Sequence, residues 1–314
     1  MTTTHVHTTP TKFLGGLFAL VGGAAVAVQG RLNGELGHQL HDGFLAALVS
    51  FAGGLLLLLL LVPTTKPGRR GIARLQQALK DHRIRWWECI GGTCGAFLVM
   101  SQGLAVATIG VAVFTVAVVT GQVVSSLLVD RAGLGPAGPK PLTAPRVAGG
   151  LVAVVAVMIA VSHEFDRPAT LWFAVLPLIA GVLMGWQQAV NGLVREASGS
   201  APVTTLLNFT TGTAALTIVS AVDVAVRGLP ESAPNTWWLY VGGALGILGV
   251  GGAIVAVRFI GVLMVGLCAV SGQLIGAVAL DAVRGSLALP TLVGAALTLV
   301  SVVVAVLPSG RMRG

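Results

Sequence analysis

Apolar stretches of about 20 residues recur ten times along the chain, at roughly 13–33, 43–63, 86–107, 109–130, 143–162, 171–193, 203–222, 237–257, 259–280 and 287–307. Short polar or glycine-rich breaks separate them. A helix of about 20 residues crosses a hydrocarbon layer of ~30 Å, and the alternating pattern of barrel strands is absent. The pattern therefore predicts an all-α polytopic membrane protein with ten transmembrane helices.

The pattern is also written twice. A shift of 158 residues lays Gly181, Gln187, Asn191, Gly192, Phe209 and Gly212 on Gly23, Gln29, Asn33, Gly34, Phe51 and Gly54. A shift of 151 lays Trp237, Trp238, Gly242, Gly246, Gly261, Gly272, Gln273 and Asp281 on Trp86, Trp87, Gly91, Gly95, Gly110, Gly121, Gln122 and Asp130. A shift of 145 puts Pro290 on Pro145 and Gly294 on Gly149. The shift changes only between apolar segments, so the length differences belong to loops and each copy is a structural unit. Five crossings per copy is an odd number, so the second copy enters the membrane the opposite way round, and the ten helices form two inverted five-helix repeats. The predicted organisation is a tail at 1–12, a first repeat at 13–162, an extracytoplasmic linker at 163–170, a second repeat at 171–307 and a tail at 308–314.

Composition strengthens this picture. Hydrophobic residues make up 55% of the chain, charged residues 10%, and the mean hydropathy is +0.90, which excludes a water-soluble domain. The net charge of +8 sits in short loops beside apolar spans, so it reports orientation and not a nucleic-acid partner. The loop from Pro63 to Trp86 carries Lys66, Arg69, Arg70, Arg74, Lys80, Arg83 and Arg85, which places it in the cytoplasm. Alternation then leaves only Arg31, Arg167, Arg227 and Arg284 outside and puts both termini inside. Lys12 and the Ala25-Val26-Ala27 triplet imitate a signal peptide and its cleavage site, but cutting there would sever the repeat, so the first span is expected to be retained. The polar stretch 1–11, with His5 and His7, reads as a frayed tail.

Candidate chemistry is confined to amides, hydroxyls and a few acids. Desolvating an amide is costly unless it is hydrogen-bonded, so Gln29, Asn33, Gln102, Gln122, Gln187, Asn191, Asn208 and Gln273 should face the bundle interior or a wet cavity. They are the substrate-binding candidates, with interhelical hydrogen bonding as the plainer alternative for any one of them. Asp130 and Asp281 end equivalent helices, with Arg131 and Arg284 close by as neutralising partners, and Glu88 starts the third span beside Trp86 and Trp87. These three acids are the candidates for ion coupling. Arg31 and Glu35 stand four apart and are expected to pair. Small residues four apart, such as Gly91 and Gly95 or Gly242 and Gly246, predict close helix packing. Cys89, Cys94 and Cys268 lie within apolar segments and read as buried hydrophobes, not as a disulfide or metal set. No catalytic triad, metal-ligand cluster or phosphate loop is present, so neither an enzyme nor a cofactor is expected.

The QGRLNG ending of the first span, the SFAGG frame with its NFTTG copy, and the TGQ frame with its SGQ copy resemble the YdcZ-like branch of the drug/metabolite transporter superfamily. That resemblance implies a secondary transporter of the bacterial inner membrane. It implies export of a small metabolite or drug-like solute by alternating access between the halves. A fused chain of this kind is expected to act as a monomer, with a homodimer as the alternative. The competing class is a non-transporting membrane scaffold or sensor.

The topology is testable by reporter fusions. Fusions at Gly314 and within the loop around Arg74 should report a cytoplasmic location; an exported signal at either position would refute the ten-span arrangement.

Overall fold

The computed structural model describes residues 9–136, 138–139, 141–160, 162, 168–230, 232–285 and 287–306, and the side chains of these except 9–12, 168–171, 250–267 and 305–306. Residues 1–8 with His5 and His7, most of the linker at 163–170 and the tail at 308–314 lie outside the described residues, as does the side chain of Arg258.

The described elements are helical. They are α1 (Thr9–Leu40), α2 (Gly43–Leu61), α3 (Lys66–Lys80), α4 (Gly92–Ile109), α5 (Val111–Ala132), α6 (Ala144–Ala160), α7 (Pro168–Ser198), α8 (Ala201–Arg227), α9 (Gly242–Val283) and α10 (Leu289–Val306). Six helical stretches are long and apolar enough to cross a membrane, and four shorter apolar ones accompany them: Ala144–Ala160, Trp237–Gly249, Cys268–Val283 and Leu289–Val304. The outer surface is apolar where no water-soluble protein could leave it so, with Leu56, Leu57, Leu59, Leu60 and Leu61 of α2 and Leu151 and Val155 of α6 all exposed. The chain is an all-α polytopic membrane protein.

Local chemistry sets the boundaries. Asp42 caps α2, its Oδ1 accepting from the amides of Phe44 at 2.9 Å and Leu45 at 3.0 Å. Gly110, at φ +80°, breaks α4 from α5 with a conformation that costs glycine little. Gly133 ends α5 in the left-handed region.

Three differences from the sequence pattern stand out. Helix α1 starts at Thr9 and runs to Leu40, so it takes in the last residues assigned to the tail. The stretch between the second and third spans is not a plain loop, because it folds into α3, capped by Thr65 Oγ1 accepting from the Gly68 amide at 3.1 Å. The Trp-Trp segments enter α4 and α9 as 3-10 turns, at Trp86–Ile90 and Trp237–Val241.

The eighth and ninth apolar runs share the one helical element α9, and contacts along α1 reveal its course. Gly242, Gly246 and Gly249 lie against Asn33, Gln29 and Val26, so this arm runs antiparallel to α1. Gly272 and Gly276 lie against Leu20 and Ala24, so this arm runs parallel to it. A straight helix would hold Gly249 and Gln273 about 36 Å apart at 1.5 Å per residue. Both flank the Gly22–Val26 stretch instead, so the chain reverses direction between Gly249 and Cys268.

The packing is reciprocal between the copies. A methyl group on Gly23 would overlap the Ala269 carbonyl and meet the Gln273 amide; one on Gly181 would overlap the Val118 carbonyl and meet the Gln122 amide. Gly272 sits on the Leu20 carbonyl as Gly121 sits on that of Leu178, and Gly243 on Ser50 as Gly92 on Asn208. Phe51 and Phe209 meet with centroids 5.0 Å apart and ring planes tilted by 32°, each against the other copy's glycine, Gly212 and Gly54. Residue i on j and j's counterpart on i's counterpart is the signature of a two-fold relation. Each copy's first helix thus packs on the third and fourth segments of the other copy.

Gly23→Leu and Gly181→Leu should each destabilise the detergent-solubilised protein by about 1–3 kcal/mol, because the added side chain meets backbone that cannot move aside. Gly53→Ala, whose methyl finds only the Tyr240 carbonyl at 4.0 Å, should be near neutral. Thermal unfolding of the three variants checks this.

Candidate functional site

Small residues bring the backbones together, and the amides sit beside them. Asn33, on α1, is fully buried, and its Nδ2 donates to Oε1 of the buried Gln102 on α4 at 2.7 Å. Its Oδ1 and the Oγ of Ser50 both face Gly242, at the start of α9. One turn along α1, Gln29 lies against Gly246. Across α4, Gln187 of α7 lies against Gly95 and Asn191 against Gly91, the equivalent positions of the other copy. Phe51 reaches this second locus too, close to Gly95.

Three oxygens in these loci are buried without a hydrogen-bond partner: Asn33 Oδ1, Ser50 Oγ and Gln187 Oε1. Leaving such a group unpaired costs about 1–3 kcal/mol, so each such atom calls for a visiting donor, whether water or solute. A cavity of about 10 Å³, room for roughly one water, opens beside the first locus. Val26, Ala27, Gly30, Gln102, Thr115 and Gln273 are among its lining residues.

Of the eight candidate binding residues, Gln29, Asn33, Gln102 and Gln273 therefore converge around α1, and Gln187 and Asn191 form the second locus. Gln122 is half-buried on α5 with its backbone amide against Gly181, and Asn208 is half-buried on α8 with its carbonyl against Gly92. The glycines of the TGQ and SGQ frames serve helix contact. Other interior hydroxyls bind backbone across helices: Thr120 Oγ1 donates to the Ala153 carbonyl at 3.0 Å and Ser125 Oγ to that of Val182 at 2.7 Å.

The acids are engaged at helix ends. Asp281 is buried, and its two carboxylate oxygens accept from the amides of Val111 at 3.1 Å and Ala112 at 2.7 Å. A negative group there meets the positive end of α5. Arg284 pairs instead with Glu35 at 3.4 Å, where Arg31 also binds at the expected spacing of four, 2.9 Å away. Asp130 bonds to Arg146, across the loop and not beside it in sequence. Glu88 accepts from the Arg85 amide at 2.6 Å and closes the 3-10 turn. Among the described residues no three His, Cys, Asp or Glu side chains converge, so no metal centre is assigned. Arg146 and the Phe51–Phe209 pair were not among the candidates; the sequence signal for the pair is that both phenylalanines stand in the repeated SFAGG and NFTTG frames, one falling on the other under the shift of 158.

Asp281→Ala should destabilise the protein by about 1–3 kcal/mol by stranding two buried amides, while Asp281→Asn, which keeps one acceptor oxygen, should cost less. Thermal unfolding in detergent distinguishes the two.

No curated protein matches the sequence. One solved structure, described only as "Crystal structure of protein", matches over 98% of this chain and 100% of its own at 18% identity and a TM-score of 0.55, a likeness of fold alone. One family model, "Putative inner membrane exporter, YdcZ", matches over residues 14–159 and again over 172–306, once on each copy. With these two matches covering most of its length, the chain belongs to the YdcZ family of inner-membrane proteins.

Proposed function

We propose that this protein is a secondary transporter that exports a small, hydrogen-bonding metabolite or drug-like solute by alternating access. In this reading the chain crosses the membrane ten times as two inverted five-span copies, with both termini in the cytoplasm, and works as a monomer without catalysis or cofactor. The observation that carries it is the set of unpartnered buried oxygens of Asn33, Ser50 and Gln187, each lying where one copy meets the other. Each is an acceptor beside a glycine of the facing copy, placed where a water or a hydrogen-bonding solute would satisfy it; two further unpaired hydroxyls, those of Thr213 and Ser220, lie on α8. The family's description as an exporter supports the direction.

The amide and hydroxyl lining suits a neutral solute better than a bare cation, since the acids are held at helix ends by Arg146, by the α5 amides and by the Arg85 amide. No carboxylate stands in mid-span, so any proton dependence must pass through Asp130, Asp281 or Glu88 or arise indirectly.

Flux screening of purified protein in liposomes against a panel of amino acids, amides, nucleosides and amphiphilic drugs tests this. At least one solute should show saturable flux, and Asn33→Ala and Gln102→Leu should lower it about tenfold or more, the loss of one hydrogen bond of ~1.4 kcal/mol. Absence of saturable flux for every solute, with a folded protein, would count against transport. Strong proton-driven flux that survives Asp130→Asn, Asp281→Asn and Glu88→Gln together would place the coupling elsewhere.

A further inference from the structure

Among the described residues, helix α3 has no counterpart in the second copy; at the equivalent point, residues 228–236 join α8 to the next 3-10 turn. It is strongly amphipathic. Gly68, Gly71, Leu75 and Ala78 are buried, and Gly71 packs against Ser200 and Val203 at the start of α8. The opposite face is exposed and basic. At 100° per residue, Lys66, Arg70 and Lys80 fall within an arc of about 80°, centred opposite Leu75, along about 21 Å of helix.

Not every cation of this region is unengaged. Arg69 donates to the carbonyls of Pro63 at 3.0 Å and Thr64 at 3.1 Å, Arg83 pairs with Asp81 at 3.2 Å and Arg85 lies over the Trp87 ring, while Arg74 is exposed but lies off the stripe, beside Gly199. Among the described residues, the side chains of Lys66, Arg70 and Lys80 enter no ion pair or hydrogen bond, and all three are exposed. Asp81 is the one acid from 63 to 85, and Arg83 and Gln77 occupy it.

Depth is set at both ends. Five residues before α3, α2 ends on Leu61, an apolar side chain 60% exposed; six residues after it stands Trp86, 72% exposed, of the type that marks the headgroup level. Helix α3 is therefore held at the bilayer surface with its apolar face spent on protein and its cations unspent. We propose that the Lys66–Arg70–Lys80 stripe is a binding site for the phosphate headgroups of anionic phospholipids. A row of cations at headgroup depth complements that charge and attracts it within a screening length. This site does not depend on the transport reading.

The test titrates the full chain, purified in neutral detergent, with phosphatidylglycerol or phosphatidylcholine, counting bound lipid by native mass spectrometry. Phosphatidylglycerol should bind in preference, and raising salt from about 0.1 M to about 0.5 M should weaken it. The triple variant Lys66→Gln, Arg70→Gln, Lys80→Gln should bind it about tenfold or more weakly, while Lys66→Arg, Arg70→Lys, Lys80→Arg should bind as wild type. Arg70→Gln alone, which leaves the fold least disturbed, should show a smaller loss in the same direction. Equal phosphatidylglycerol binding by wild type and the glutamine triple would overturn the proposal. So would displacement of bound phosphatidylglycerol by inorganic phosphate at matching concentration, which would make the stripe a site for the free ion.

Discussion

Helices in a bilayer gain nothing from hiding apolar side chains from one another, because lipid tails are as apolar as leucine. Cohesion rests on how closely backbones approach. In this chain that constraint is met where Gly23 lies on Ala269 and Gln273, and again where Gly181 lies on Val118 and Gln122. These contacts are made between copies, beside others within the first copy such as Gly37 on the Gly103 carbonyl, so the two halves are interlocked. The same geometry places the amides: Asn33 and Gln29 occupy the room left by the missing side chains of Gly242 and Gly246, and Gln187 that left by Gly95. Polar groups could not sit there against bulkier residues, so the packing that holds the bundle also builds its polar interior.

Much of this was legible from spacing. The shifts of 158 and 151 paired the residues that the structure brings into equivalent contacts, because duplication preserves packing surfaces along with sequence. Periodicity could not reveal which copy each helix packs on, since a glycine stripe marks a close contact without naming its partner. Helix α3 was hidden by charge: seven cations between 63 and 86 dominated the reading, although Gly71, Leu75 and Ala78 already recur at helical spacing. The backbone partners of Asp281 are hidden for a related reason. Sequence proximity points only to Arg284, whereas the amides of Val111 and Ala112, which open α5 after the positive φ of Gly110, lie some 170 residues away in the chain.

The duplicated loci are not chemically equal. Gln102, which orients Asn33 through its amide, falls on Ala253 in the second copy, and Ser50 falls on Asn208. The first locus therefore has an amide locked by a neighbour and aiming its carbonyl oxygen toward Gly242, while in the second the unpaired carbonyl belongs to Gln187. Fixing Asn33 by one hydrogen bond removes rotamer freedom before any ligand arrives, so a donor meeting Oδ1 loses less entropy there than at an amide that must still be ordered. A chain that needed two identical half-sites could pair two copies of a single half. Fusion lets the halves diverge, and Gln102, which has no amide counterpart in the second copy, stands within the polar interior, where a one-residue difference changes the hydrogen bonds on offer.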